Sequence, residues 1–281
     1  MKGLIVTADD FGVAVEVNDA VEQAHTHGIL TAASLMVGGG FVADAVARAR
    51  RLPTLRVGLH IVLVEGRPVL PAADIPDLVG PDGFFRRDMV ASAVNMFFRP
   101  SVRRQLAAEI TAQFEAYRAT GLPLDHVNTH KHFHLHPTIA GHILRIGKAY
   151  GLKAMRVPLE PRGILMKADG RLKIAPAYVT GPWSAVVRWR LGRAGVASAN
   201  RVFGLHWSGA MTTERVRGLI DHLPDGITEL YVHPATAGGF DGEALGYLYA
   251  EELAALTAPD VLAAVRASGA RLGGFADMAR T

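Results

Sequence analysis

Apolar residues along this chain follow two patterns, short continuous runs and longer stretches with helical spacing. The run from Leu4 to Ala8 ends at a pair of acidic residues, which is typical of a buried parallel strand. From Arg103 to Ala119 the apolar side chains recur on one stripe, which is typical of an amphipathic helix. Together the patterns predict strands over 4–8, 32–37, 56–62, 124–130, 153–158, 229–234 and 271–275, and helices over 15–27, 43–51, 103–119, 137–150, 212–222 and 259–268.

The order of these elements predicts the fold class. Strands that alternate with helices imply an α/β protein with a parallel sheet, either open or closed into a barrel. We find no internal repeat and no linker, so we expect residues 1–281 to form a single domain. Residues 65–100 and 160–210 break the alternation and are predicted to be loops, caps or lids.

Composition excludes several classes of protein. The chain has no cysteine, which rules out disulfides and thiolate metal sites and is compatible with a cytoplasmic location. The apolar stretch near the start is too short for a signal peptide, and the longest uncharged run, 28–43, is too short to span a bilayer. The net charge of +4 is not arranged as a basic stripe with stacking aromatics, so we expect no nucleic-acid partner.

Candidate chemistry lies where predicted strands end. Four of them end in polar residues, namely Asp9 with Asp10, His60, His130 and His233, and a fifth ends near Arg156. In a barrel the carboxyl ends of the strands meet at one mouth, where active sites are built. Imidazole and carboxylate groups are the ligands of hydrolytic metal sites, so the pattern predicts a metal-dependent hydrolase.

Each of these residues also has a plain structural interpretation. Asp9 and Asp10 are adjacent, so strand alternation predicts that they point to opposite sides, and the pair could simply be a turn with a helix cap. His60 alone could be a satisfied core residue. In the histidine-rich run 126–136, alternation predicts that His126 and Asn128 face the interior, His134 and His136 lead into the next helix, and His130 and His132 lie at the rim.

At these residues the chain resembles the YdjC family of carbohydrate deacetylases, distant relatives of the polysaccharide deacetylases. The resemblance spans residues 8 to 234 in the family's order. It rests on Ala8-Asp-Asp-Phe-Gly12, Gly28-Ile-Leu-Thr-Ala-Ala-Ser34-Leu-Met36, Val57-Gly-Leu-His60, Thr129-His-Lys-His-Phe-His134 and Val232-His-Pro234. The stretches Gly58-Leu-His-Ile-Val-Leu-Val-Glu-Gly66 and Arg156-Val-Pro-Leu-Glu-Pro161 are most similar to the hopanoid-biosynthesis-associated branch.

The resemblance implies a distorted TIM-like barrel that hydrolyses the N-acetyl group of an amino sugar, and its hopanoid branch implies a sugar attached to a hopanoid lipid. It implies that one divalent cation, Mg²⁺ or Zn²⁺, is held by Asp10, His60 and His130. Asp9 matches the catalytic base and His233 the general acid. The roles of supporting residues are looser: Arg156 would pair with the base, and His132 is a candidate substrate contact. At Lys131 some relatives carry a further histidine, so no ligand role is expected there.

Three questions stay open at the level of sequence. Segments 94–104 and 182–193 combine bulky apolar residues with arginines, which suits either a peripheral contact with an anionic membrane or a cap whose aromatics pack inward. A homodimer is left open. A phosphoesterase and a non-catalytic sugar or lipid carrier remain alternatives to the deacetylase, although no glycine-rich phosphate cradle is present.

Overall fold

A computed structural model describes residues 1–170, 172 and 180–278 of the chain. The strands are β1 (Lys2–Phe11), β2 (Ala32–Leu35), β3 (Arg56–Ile61), β4 (Val127–Thr129), β5 (Arg201–Phe203), β6 (Gly226–Val232) and β7 (Arg271–Leu272). The helices are α1 (Val15–His27), α2 (Val42–Arg51), α3 (Met89–Phe98), α4 (Pro100–Ala119), α5 (Pro137–Gly147), α6 (Arg162–Ala168), α7 (Thr180–Arg193), α8 (Thr213–Asp221), α9 (Tyr249–Thr257), α10 (Pro259–Ser268) and α11 (Phe275–Met278). Short 3-10 turns cover Ala72–Asp74, His130–Leu135 and Lys148–Tyr150.

The seven strands form one parallel sheet with the first strand near its middle. The order is β4-β3-β2-β1-β6-β5, and β7 pairs with the start of β1. β1 is buried along almost its whole length because it has a strand on each side and helices outside, which explains its continuous apolar sequence. All carboxyl ends of the strands therefore point to the same edge of the sheet.

An extended segment, Ala154 to Leu159, closes the gap between the two outer strands. On one side Val127 donates to the carbonyl of Ala154 at 3.0 Å, and Arg156 donates back to Val127 at 3.0 Å. On the other side Val202 donates to the carbonyl of Leu159 at 3.0 Å. The sheet thus curls into an irregular barrel, and the expected α/β, TIM-like architecture is confirmed.

The predicted elements agree with the structure except in the irregular segments. The predicted strand at 153–158 makes only isolated bridges, because Pro158 has no N–H to donate and the segment passes from one neighbour to the next. Helices α3, α6, α7, α9 and α11 and strand β5 were not predicted, and the predicted strand 271–275 is limited to β7 (Arg271–Leu272). Residues 171, 173–179 and 279–281 of the predicted domain lie outside the described residues. In the described part of the chain, no helix has the length and apolarity needed to cross a membrane.

Candidate active site

The end of β1 brings two adjacent carboxylates into one site. The pairing of β1 with β2 shifts register between Ala8 and Phe11, which inserts one extra residue as a bulge. Asp10 lies in this bulge with φ of 63°, a left-handed conformation that aspartate tolerates better than most residues. The expectation that Asp9 and Asp10 point to opposite sides is therefore wrong, because the bulge turns both carboxylates toward the ring of His60.

The three residues matched to metal ligands lie together at the mouth of the barrel. The Asp10 Oδ1 atom is 3.3 Å from Nε2 of His60 and 3.4 Å from Nδ1 of His130. One ligand atom from each of the three residues lies within 4.8 Å of the others. β1, β3 and the turn after β4 supply one residue each, so the site exists only when three strand ends converge.

The donor set fits a divalent cation. Asp10 Oδ1 is buried and has no hydrogen-bond partner among the described residues, although two imidazole nitrogens face it. Burial opposes charge here, but the imidazoles of His130 and His60 hold the pKa of the Asp10 carboxyl well below its usual range. Asp10 is therefore ionised at neutral pH. Burial lowers the pKa of His60, whereas the nearby Asp9 raises it. The net effect is an increase in the pKa of His60. A carboxylate oxygen with two imidazole nitrogens is a donor set that suits zinc as well as harder cations.

Asp9 is held by a fully buried arginine. Arg156 donates from its two terminal nitrogens to the two oxygens of Asp9, at 2.5 and 3.0 Å. Arg156 also contacts Glu229 at 2.8 Å and lies over the ring of Tyr231, 4.5 Å from its centroid. Burial alone would raise the pKa of the Asp9 carboxyl, but the guanidinium outweighs burial and holds it well below its usual range. Asp9 is therefore ionised at neutral pH, as a base must be.

His233 is the residue directly after β6, and it lines the same cavity as Asp9 and Asp10. Its backbone N–H donates to the buried carboxyl of Glu252, and its Nδ1 atom is buried without a hydrogen-bond partner in the described part of the chain. The ring packs against Tyr231 and Tyr247, with centroids 5.6 and 5.0 Å away. Burial lowers the pKa of His233, so the ring is neutral at neutral pH in the free protein. Glu252 was not predicted, because nothing in the sequence signals that α9 turns a carboxylate inward.

The remaining histidines of the run separate into rim and interior positions. His132 lies at the rim, where its Nε2 atom is 2.9 Å from the hydroxyl of Tyr231. His134 is buried beneath it and pairs with Thr129 at 2.8 Å. His126 and Asn128 are fully buried inside the barrel, as strand alternation predicts.

A cavity of about 860 Å³ connects these groups to solvent. Two loops form its walls, and its floor is lined by Asp9, Asp10, His60, His130 and His233. One wall comes from the predicted cap, through Glu65, Phe84, Arg87 and Met89, and the other is the unpredicted segment 241–247. In the described residues the non-glycine positive φ values occur at Asp10, Glu65, Lys131 and His132, and all four residues line this cavity. Backbone strain of this kind concentrates at functional sites.

Comparisons with known proteins agree with this geometry. The chain matches the model of the family described as YdjC-like protein over residues 3–267. A human carbohydrate deacetylase is 30% identical over 309 residues, covering 98% of this chain and 90% of that protein. A Geobacillus stearothermophilus carbohydrate deacetylase is 30% identical over 271 residues, covering 95% of this chain and 94% of that protein.

A solved structure has the same fold. It belongs to an Enterococcus faecalis V583 protein provisionally named a cellobiose-phosphate cleavage protein, with a TM-score of 0.76, 23% identity and coverage of 98% of both chains. At this identity the likeness supports the fold and not the substrate.

Proposed function

Since the chain belongs to the YdjC-like family, we propose that it is a metal-dependent carbohydrate N-deacetylase. The reaction would hydrolyse the amide C–N bond of an N-acetylglucosamine-type sugar and release acetate. The observation that carries this proposal is the placement of the Asp10, His60 and His130 cluster beside the ionised Asp9 in one cavity. The names of the human and Geobacillus relatives support the same reaction.

In this proposal, one group of residues binds the cation and Asp9 accepts a proton. A divalent cation held by Asp10, His60 and His130 would polarise the amide carbonyl and make a water molecule more acidic. Asp9 accepts the proton of the attacking water as the new C–O bond forms. Arg156 and Asn128 hold the Asp9 carboxylate in place through three of the hydrogen bonds that it accepts. A carboxylate with so low a pKa is a weak base, so the acidity of the water must supply the rest of the driving force.

His233 faces the departing amine in this scheme. Its ring is neutral in the free protein because it is buried, and it would take up a proton from solvent through the cavity as negative charge develops beside it during attack on the carbonyl. Passing that proton to nitrogen lets the C–N bond break and leaves a free amino sugar. The proton that Asp9 accepts from water returns to solvent when acetate leaves. The hydroxyl of Tyr231, which contacts His132, lies on the same cavity wall and is available to the sugar.

Within this class of amino sugars, we propose that the substrate is a glycosylated hopanoid lipid intermediate. The support for this proposal is the similarity of residues 58–66 and 156–161 to the hopanoid-associated branch. A lipid-linked substrate would require the mouth of the barrel to approach a membrane, which suits a cytoplasmic protein bound at the inner face of the membrane.

The surface around the mouth supports such an approach. Exposed apolar side chains of α3 and α7, here called the aromatic face, include Phe97, Phe98, Trp183 and Trp189. The two helices flank the start of α5: the Phe97 ring lies 6.0 Å from that of His136, and Trp183 donates to the carbonyl of Leu135. Guanidinium groups accompany the aromatics, with Arg193 5.1 Å from the centroid of Trp189 and Arg103 5.8 Å from that of Phe97. Aromatic and arginine side chains in this mixture suit an anionic lipid surface.

The deciding experiment measures acetate release. Metal-free protein would be offered N-acetylglucosamine, diacetylchitobiose and an N-acetylglucosaminyl hopanoid, with Zn²⁺ or Mg²⁺ added back. We expect acetate only after a metal is restored, and the best kcat/KM with the hopanoid. Absence of acetate from all three substrates would refute the deacetylase, and phosphate release from phosphoester substrates would favour the phosphoesterase. Tight sugar binding without turnover would favour the carrier.

A further inference from the structure

A line of buried polar side chains crosses the barrel interior from its amino end to the candidate metal site. His126 Nδ1 lies 2.9 Å from Asp125, and His126 Nε2 lies 3.0 Å from the hydroxyl of Ser34. The same hydroxyl lies 2.9 Å from the amide nitrogen of Asn128. That amide nitrogen also lies 3.0 Å from Asp9, and the amide oxygen lies 2.7 Å from Nδ1 of His60.

The strands are built to accommodate this line. Ser34 on β2 is paired with Gly58 on β3, and His60 on β3 is paired with Asn128 on β4, so the inward positions of three neighbouring strands supply it. A Cβ atom at Gly58 would lie 2.6 Å from the ring of His126. Glycine at this position therefore makes the space in which the imidazole lies.

The hydrogen bonds can run in only one direction. Asp9 is ionised by its two contacts with Arg156 and has no proton to donate, so the amide group of Asn128 must turn its NH₂ toward Asp9 and Ser34. Its carbonyl oxygen then faces His60, which must carry a proton on Nδ1. At the other end of the line the Asp125 carboxylate accepts from Nδ1 of His126, which leaves Nε2 of that ring to accept from the Ser34 hydroxyl.

We infer that Asn128, Ser34 and His126 are positioning residues that fix which nitrogen of His60 faces the metal. With its proton held on Nδ1 by Asn128, His60 would keep the lone pair of Nε2 for a cation bound together with Asp10 and His130. The same amide group orients Asp9, so one side chain aligns a metal ligand with the base. The two roles rest on the proposed function, but the state of the His60 ring can be measured without turnover. Partners of this kind usually change metal affinity by about 10–100-fold when removed.

The first test needs no substitution in the interior line. Nitrogen–proton correlation spectra of metal-free protein labelled with ¹⁵N-histidine, at about pH 8, would identify the His60 signals by their loss in His60→Gln. We expect a proton on Nδ1 of His60. A bare Nδ1 with the proton on Nε2 would overturn the inference, whether or not the protein releases acetate.

The second test measures the dissociation constant of Zn²⁺ by competition with a chromophoric chelator. Asn128→Leu removes the acceptor for His60 and should raise it by about 10–100-fold. Ser34→Ala should raise it by a smaller factor, about threefold or more. The matched control is Thr228→Val, which removes another fully buried hydroxyl, one with no hydrogen-bond partner among the described residues. Equal affinity in Asn128→Leu and wild type, or equal effects of Ser34→Ala and Thr228→Val, would contradict the inference.

Discussion

Burial of Asp9 favours the neutral form of its carboxyl, but contacts with Arg156 keep it ionised. Its two oxygens accept from both terminal nitrogens of Arg156, and Arg156 is shared with Glu229. Loss of one carboxylate thus leaves a buried guanidinium with half of its partners, which costs up to about 3–5 kcal/mol. The same residue therefore contributes to stability and to the proposed chemistry, and an experiment must separate the two.

Asp9→Asn is expected to reduce kcat for acetate release by about 10²–10⁴-fold because the base is lost, while Zn²⁺ still binds. The measurement is acetate release at saturating metal, with folding checked by thermal unfolding. Glu229→Gln is the matched control, since it removes the other carboxylate of Arg156 from a position that does not line the cavity. It should lower stability as well but retain much more of the activity. Full activity in Asp9→Asn would show that another group is the base.

Glu252 gives a prediction about pH. Burial raises the pKa of its carboxyl from 4.5 to about 7, although backbone N–H groups of Met211 and His233 favour the charged form. Between these values the folded protein binds more protons than the unfolded chain, so the free energy of unfolding falls as pH rises, by roughly 3 kcal/mol over the window. Urea unfolding of metal-free protein at pH 4.5 and pH 7.5 should show that the free energy of unfolding of wild type falls by roughly 3 kcal/mol relative to that of Glu252→Gln. Buried histidines such as His233, whose pKa is lowered, titrate in both proteins and cancel in this comparison.

The control for that experiment is Glu251→Gln, on the exposed side of the same helix. It should keep the wild-type dependence on pH. If Glu252→Gln also keeps it, the titrating group lies elsewhere.

The sequence predicted which residues gather at the site better than it predicted how they are oriented. Asp9, Asp10, His60, His130 and His233 all lie at or directly after the carboxyl ends of strands, and parallel topology brings these ends together. The orientation of Asp10 depends on a bulge whose register no local pattern encodes. Asn128 was recognised as interior, but its contacts join residues more than 60 positions apart in the chain. Such contacts become visible only when the barrel is closed.

At the scale of elements, the strands tolerate no extra volume where polar side chains fill the barrel. Gly58→Ala would place a methyl group against the His126 ring, and overpacking of this kind costs about 1–3 kcal/mol. Gly141, inside α5, has open space where a Cβ atom would lie, so Gly141→Ala should stabilise by about 0.5–1 kcal/mol. Urea unfolding of both variants tests the pair, and equal effects would mean that the interior can relax around position 58.

The cavity walls come from segments that have no periodic pattern in the sequence. The 65–100 segment was expected to be a loop or cap, and it supplies one wall together with α3. The opposite wall, 241–247, has no regular secondary structure and therefore no periodic pattern to detect. Its course is set by tertiary contacts, such as the bond of Ser208 to Tyr247 at 2.9 Å. Local sequence patterns describe strands and helices, whereas these walls depend on contacts between distant segments.

At the scale of the whole molecule, the aromatic face predicts binding to anionic vesicles. Wild-type protein should sediment with vesicles that contain an anionic lipid, less with neutral ones, and less as salt screens the arginines. Trp183→Ala with Trp189→Ala, and Phe97→Ala with Phe98→Ala, should each weaken sedimentation. Met166→Ala, an exposed apolar residue outside the aromatic face, is the control. Failure of the wild type to bind would remove the membrane contact from the proposal.

The position of β1 near the middle of the sheet has a consequence for synthesis. β1 is translated before the other strands of the sheet, yet its pairing with β6 joins Lys2 to Gly226, and its pairing with β7 joins Gly3 to Arg271. A nascent chain therefore carries an apolar strand with one edge unsatisfied until most of the protein has been translated, which is the situation in which chains fold slowly and aggregate. Asp9 and Asp10, on that same strand, remain without Arg156, Glu229 and His233 for most of this time. The candidate site is therefore complete only after β6 and His233 have been translated.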